Sequence, residues 1–284
     1  MSPEPFRPNP TIILFAALPQ ETVVLKRRTG PWRRLSSPPC PAWRRDAKDR
    51  GLLLVEAGMG DRRLAEIFDW AVSREGCDLL VSFGFGGGLT HGLRVGDVCL
   101  CDRFCRWDAE KRSIAPDGLS TDPGQRVKVL GDGLSWTRCI DVTTPRLAKK
   151  EEVALQLNRL KESSPALVDM ESFALAHLAR EASIPFLTLR SVSDELGHEL
   201  DFDLSSIADE HGNIEFRRIA RSVLSRPSLL LSFHRLWRDS RRAAESLGEA
   251  LATLVNLPPR QLRAMAETSR VRRWKVEQDT AVQN

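Results

Sequence analysis

Four short apolar runs limit what this chain can fold into: TIILFAAL (Thr11 to Leu18), GLLLVE (Gly51 to Glu56), CDLLVSF (Cys77 to Phe83) and PFLTLR (Pro185 to Arg190). Each is continuous rather than alternating and is bounded by turn-forming residues, the pattern of strands buried on both faces. After the second run, DRRLAEIFDWAVSREG places Leu64, Ile67, Phe68 and Ala71 at helical spacing, with Asp61 as the expected N-cap. Glu171 to Glu181 reads as another helix, immediately before the fourth run. Strands alternating with helices over 284 residues predict an α/β protein: a single mixed-sheet domain flanked by helices, with a helical C-terminal extension.

Weaker signals fill in the order. GDVCLCD (Gly96 to Asp102), WTRCIDV (Trp136 to Val142) and ALV (Ala166 to Val168) read as further strands, and Leu147 to Leu160 as a helix. The proline- and arginine-rich stretch up to Arg50 reads as a loop or edge excursion, and Arg106 to Gly133 as a polar excursion. From Glu215 the pattern is helical only, with a break at Pro227. The expected organisation is an α/β domain over 11–214, a helical extension over 215–255, and a disordered tail over 256–284, where periodic apolar content is low.

The formal net charge of +4 is mild, but arginine is concentrated between Arg27 and Arg50 and after Phe216. Solvated surface explains such clusters more simply than a nucleic-acid footprint, and contact with an anionic membrane is the other reading. No nucleic-acid partner is expected. The six cysteines form no CxxC pair and match no zinc spacing, so they read as reduced, mostly buried thiols. TIILFAALP is too short to span a bilayer and lacks a signal-peptide cleavage pattern, which places the expected location in the cytoplasm.

The candidate site starts from glycines. Gly84, Gly86, Gly87 and Gly88 follow a strand, but the third glycine of a dinucleotide fingerprint would fall at Leu89, and no helix follows. A structural turn and a backbone that must let something approach closely remain as readings. Asp169, Met170 and Glu171 stand where a strand enters a helix. Acids there either favour the helix dipole or accept hydrogen bonds from sugar hydroxyls, with Met170 offering a soft apolar surface to the ring. Asp194 follows the fourth run and Glu21 the first. Alone, each is an ordinary cap or first-turn acid; together they stand at the strand ends where open α/β sheets bind ligands.

At these residues the sequence resembles a known family. AALPQE, SFGFGGGLTHGLRVGD, VDMESFALAHLA and IPFLTLRSVSD, in that order between Thr11 and Asp194, are similar to the nucleoside phosphorylase and nucleosidase superfamily, in particular its methylthioadenosine/adenosylhomocysteine nucleosidase branch. The resemblance implies that Glu21 orients or deprotonates the attacking water, Glu171 binds ribose hydroxyls with Met170 against the sugar, and Asp194 serves the purine N7. Gly86, Gly87 and Phe85 would line the substrate. It implies no metal and no organic cofactor, a small purine nucleoside as partner, and, by analogy, a homodimer.

Cleaving an N-glycosidic bond puts positive charge on the ribose and negative charge on the departing purine, so a proton at N7 lowers the barrier. Asp194 acting as that acid calls for an apolar, desolvated setting. Phosphorylases of the superfamily use arginines for phosphate, whereas AALPQE and VSFG carry none; hydrolysis is favoured, with Arg27 and Arg28 as the nearest candidates to reach in. Phe85 stands where many nucleosidases carry serine, and Thr143 to Glu152 does not reproduce the purine-stacking loop of the methylthioadenosine enzymes.

The segment RRIARSVLSRPSLLLSFHRLWRDSRRAAESLGEAL and the VDMES variant resemble hopanoid-associated phosphorylase-like proteins, which implies adenosylhopane as substrate in hopanoid biosynthesis. Between Ser228 and Val255, Leu229, Leu230, Phe233, Leu236 and Trp237 recur at helical spacing among Arg235, Arg238, Arg241 and Arg242. That stripe either packs on the domain or lies on an anionic membrane face. The readings in competition are therefore an adenine-releasing hydrolase, a phosphorylase, and a nucleoside-binding or scaffold protein without turnover.

Overall fold

The first apolar run lies at the buried centre of a mixed sheet that has twelve strands among the described residues. In the computed structural model of the chain, which describes residues 9–122, 136–145, 149–159, 164–197 and 229–276, β1 (Thr11–Ala16) is buried at every position. It runs parallel between β4 (Arg50–Glu56) and β5 (Leu79–Gly88). Ile13 and Phe15 enter one core, Ile12, Leu14 and Ala16 the other, so both faces are dry, as a continuous apolar run requires.

Helices cover the two faces. On one, α2 (Leu64–Glu75) contributes Ile67, Phe68 and Ala71, and α4 (Ser172–Glu181) contributes Leu175, Ala176 and Ala179. On the other, α1 (Pro19–Thr29), α5 (Leu229–Val255) and α6 (Pro259–Thr268) bury Leu25, Leu247, Leu251, Leu262 and Met265. A short helix, α3 (Lys150–Leu157), sits beyond β9 (Thr137–Thr143).

The sheet does not stay open. β5 pairs with β11 (Phe186–Asp194), β11 with β6 (Val98–Asp108), β6 with β9, β9 with β10 (Ala166–Asp169), and β10 returns antiparallel to the far end of β5. This ring forms because β5 changes partners along its length: Leu79 to Ser82 pair with β1, while Gly87 and Gly88 pair with Val168 and Leu167. Beyond β4, β3 (Ala42–Ala47) and β2 (Arg33–Arg34) add an antiparallel edge; β7 (Ser113–Ile114) and β8 (Asp117–Ser120) extend β6.

Several expectations are corrected. The stretch read as loop or edge excursion up to Arg50 holds helix α1 as well as edge strands. Asp61 is not the N-cap of α2: Arg63 holds that place, and the Asp61 carbonyl accepts the Leu64 N–H at 3.2 Å. The expected disorder from residue 256 is replaced, as far as residue 276, by α6 and by β12 (Arg272–Lys275), which pairs antiparallel with β8. Arg50, buried, donates to the carbonyls of Val255 at 2.9 Å and Leu257 at 2.7 Å, anchoring the end of α5. Residues 215–228 and 277–284 of the expected extension and tail lie outside the described residues.

The free thiols agree with the sequence reading. Cys40, Cys99, Cys101, Cys105 and Cys139 are buried, and burial pushes the Cys40 thiol up to about 12.

Candidate active site

The glycine run is not a turn. Gly84, Gly86, Gly87 and Gly88 lie within β5, and at the first three what requires glycine is close approach. A Cβ at Gly84 would stand 2.6 Å from Glu21 Oε1 and 2.7 Å from Arg190 Nη1; at Gly87 it would stand 3.2 Å from Lys150 Cδ and 3.3 Å from Asp194 Oδ2. At Gly86 the Leu167 side chain of β10 fills the space at 3.0 Å. Four charged side chains and a neighbouring strand thus crowd one bare stretch of backbone.

Glu21 sits in the first turn of α1, buried. Its Oε2 accepts the N–H groups of Ala17 at 2.9 Å and Leu18 at 2.8 Å, and its Oε1 accepts that of Phe85 at 2.9 Å. Burial pushes its carboxyl upward, opposed by these backbone donors and by Arg190. Phe85 is half-buried; its backbone holds Glu21 while its ring packs against the core beneath α1 and α5.

Glu171 occupies the N-cap position of α4, and its Oε1 accepts the N–H of Gly60 at 2.7 Å. Gly60 has φ +81, so the loop after β4 needs glycine to present that donor. Met170, beside it, is half-buried. Burial and the neighbouring Asp169 push the Glu171 carboxyl up to about 8.

Asp194 ends β11 just past a register shift that follows Val192. Its Oδ1 accepts the Ser193 hydroxyl at 2.6 Å and its Oδ2 accepts Lys150 Nζ at 2.5 Å. This differs from the apolar, desolvated setting expected: the aspartate keeps 29 % side-chain exposure and faces an ammonium group. Glu21, Glu171 and Asp194 nonetheless come to one end of the sheet, around β5.

Beneath them lies a group the sequence reading passed over. Arg190, buried in mid-strand, donates from Nη2 to Asp169 Oδ2 at 2.5 Å, to Ser82 Oγ at 3.0 Å and to Ser172 Oγ at 2.8 Å. Asp169 also accepts the Thr143 hydroxyl at 2.7 Å and the Ser172 N–H at 2.8 Å. Burial works against an ionised Asp169, but Arg190 and these donors hold its carboxyl below the usual range. Burial and Asp169 push the buried Asp141 well above it. One buried cation is thereby matched to one buried anion. Ser82, Glu171 and Arg190 also line a cavity of about 10 Å³, near the size one water needs.

The raised Glu171 gives a pH prediction. A folded-state carboxyl titrating near 8 holds its proton between the unfolded value and 8, while the unfolded chain has lost it, so stability falls as pH rises through that window. Glu171→Gln removes this loss and keeps an acceptor for Gly60. The variant is expected to melt above the wild type at pH 8, with the difference shrinking toward pH 5; thermal midpoints across that range check it, and a pH-independent difference would contradict it.

The arginines offered as phosphate ligands are committed elsewhere. Arg27 pairs with Glu245 at 2.8 Å and Arg28 with Glu249 at 3.0 Å, on the exposed side of α1 facing α5. Arg190 was detectable in principle, as a lone charge inside the buried run FLTLRSVS. Lys150 was not, standing in the charged run KKEE.

Convergent carboxylates over a glycine-lined strand make this end of the ring-closed mixed sheet the candidate ligand site of an α/β protein. Residues 11–225 match the model of the Phosphorylase superfamily, and the chain belongs to that family. It is 22% identical over 204 residues, 66% of this chain and 86% of the relative, to the 5'-methylthioadenosine/S-adenosylhomocysteine nucleosidase of Tolumonas auensis. Among solved structures, a Helicobacter pylori nucleosidase of that kind, complexed with a substituted pyrrolidinol, superposes with TM-score 0.64 at 12% identity, covering 88% of this chain and 100% of that one. The futalosine hydrolase of the same organism gives 0.63 at 13% identity over 87% and 97%. At such identities the structures establish the fold.

Proposed function

We propose that this chain is a purine nucleoside N-glycosidase that hydrolyses the bond between adenine and ribose. The observation that carries the reading is the gathering of Glu21 and Asp194 over the bare backbone of β5, with Glu171 lining the cavity beside Ser82 and Phe83 of the same strand. The curated nucleosidase relative supports it. Glu171, when ionised, accepts hydrogen bonds from the ribose hydroxyls, with Met170 against the sugar. As the C1′–N9 bond breaks, its electron pair passes to the purine and positive charge spreads over the ribose. Water adds at C1′ and gives a proton to Glu21, whose carboxyl, raised by burial, is a stronger base than an exposed glutamate. N7 takes a proton through Asp194, so adenine departs neutral. Hydrolysis is favoured over phosphorolysis because Arg190 is bound to Asp169, and Arg27 and Arg28 to helix α5.

The finer reading is an adenosyl lipid such as adenosylhopane as the first-choice substrate, ahead of methylthioadenosine and adenosylhomocysteine. The C-terminal resemblance supports it. Adenine release measured on adenosylhopane, 5'-methylthioadenosine and S-adenosylhomocysteine tests both levels. Preference for the lipid by tenfold or more in kcat/KM is expected, preference for either small nucleoside would reject the lipid reading, and release from none would reject the hydrolase.

Contact with a membrane surface belongs to the same reading. From Ala243 onward the apolar positions of α5 are buried in the fold, as Ala243, Leu247, Leu251 and Leu254 show. Toward its start, Trp237 is 58% exposed with Arg241 stacked 5.1 Å from its ring. Among the described residues no helix is long and apolar enough to cross a membrane. Salt-sensitive co-sedimentation with anionic vesicles is expected, weakened when Arg235, Arg238, Arg241 and Arg242 become glutamine; equal binding to neutral vesicles at low salt would reject it. The homodimer stays a proposal by family analogy, checked by sedimentation equilibrium.

A further inference from the structure

Lys150 occupies a place that its own helix does not explain. It is the first residue of α3, where the helix dipole disfavours a cation, and it is buried to 7% relative exposure. Burying an ammonium group costs several kcal/mol unless partners compensate it. Its partners are Asp194 Oδ2 and the Glu195 carbonyl, each at 2.5 Å from Nζ. To reach them its stem crosses β5 at Gly87, where a Cβ would stand 3.2 Å from Lys150 Cδ. Both the helix start and the bare position in the strand therefore serve to bring one ammonium group to the end of β11.

The hydrogen bonds at Asp194 show what that group adds. Oδ1 accepts the Ser193 hydroxyl at 2.6 Å and Oδ2 accepts the lysine, so in this arrangement the carboxylate only accepts. To donate to a purine it must first receive a proton, and one stands on Lys150 Nζ. We propose that Lys150 is the positioning residue for leaving-group protonation, supplying through Asp194 the proton that the departing purine takes up.

This deepens the hydrolase reading and rests on it. As the C1′–N9 bond breaks and its electron pair moves into the purine, Lys150 passes a proton to Asp194 and Asp194 passes one on to N7. The lysine is left neutral beside an ionised Asp194, and Glu21 holds the proton lost by water. Return of that proton to Lys150 through solvent resets the site. Atoms and charge balance, with water and nucleoside as the only reactants.

The test compares two substrates that differ in need of an acid: 5'-methylthioadenosine, whose adenine must be protonated, and 4-nitrophenyl β-D-ribofuranoside, whose nitrophenolate leaves unaided. Lys150→Met keeps the stem over Gly87. It is expected to lower kcat for methylthioadenosine by about a hundredfold or more, with KM little changed, and to leave the nitrophenyl riboside rate within a few-fold. Lys150→Gln, which keeps a hydrogen-bond donor without the charge, is expected to behave alike and serves if the methionine variant does not fold. Equal loss on both substrates would show that Lys150 only holds the architecture, and no loss on methylthioadenosine would show that it supplies nothing; either overturns the proposal. A wild-type protein that cleaves neither substrate, and releases no adenine from adenosylhopane or S-adenosylhomocysteine either, would overturn the hydrolase reading itself, and this inference with it.

Discussion

Asp194→Asn is expected to lower kcat by at least about a hundredfold while nucleoside binding stays measurable. Asparagine keeps the size of the side chain, and its amide oxygen still accepts from Lys150 or Ser193, the two groups that fix Asp194 at 2.5 and 2.6 Å. It cannot take a proton from one side and release it on the other, so the purine must leave as an anion. Steady-state kinetics on 5'-methylthioadenosine, with equilibrium binding of the same nucleoside to the variant, separates the two effects. Near-wild-type turnover would remove Asp194 from the mechanism; loss of binding with unchanged kcat would make it a recognition group.

The largest effect on stability is expected from Arg190→Met. The arginine lies at 2% relative exposure against Asp169 at 6%, and it holds Ser82 and Ser172 as well. Removing one member of a buried pair leaves the other charge uncompensated and costs about 3–5 kcal/mol. Asp169 would then have to be protonated to stay buried, giving up the ionised form that accepts from Thr143 and the Ser172 N–H. Urea unfolding of the single variant and of Arg190→Met/Asp169→Asn checks this. The double variant is expected to recover part of the loss, since it has no charge left unpaired. A single variant within about 1 kcal/mol of wild type would mean that the pair is not what sets the site's foundation.

The contrast between these residues shows how far the sequence can be read. Continuous apolar runs marked β1, β4, β5 and β11 because strands buried on both faces have little choice of composition. Helix α1 went unread because Pro19 and the arginines near it resemble loop, although proline in the first turn of a helix is also a start signal. Strand β12 was hidden because it is an edge of charged residues, Arg272, Arg273 and Lys275, with only Trp274 turned partly inward. The glycines of β5 were legible as permitting close approach, but what approaches is a tertiary fact. Glu21, Glu171 and Asp194 were found by standing at the ends of strands. Lys150 owes its importance to a partner 44 residues away, which no local pattern encodes.

The central claim, that water rather than phosphate takes the sugar, rests on Glu21 held by three backbone donors and on Arg190 committed to Asp169. The most direct measurement is the identity of the sugar product when wild-type protein cleaves an adenine nucleoside with and without added phosphate. The free reducing sugar in both conditions, at a rate phosphate does not raise, is the expected result; a phosphate-dependent rate with the sugar 1-phosphate as product would contradict the account.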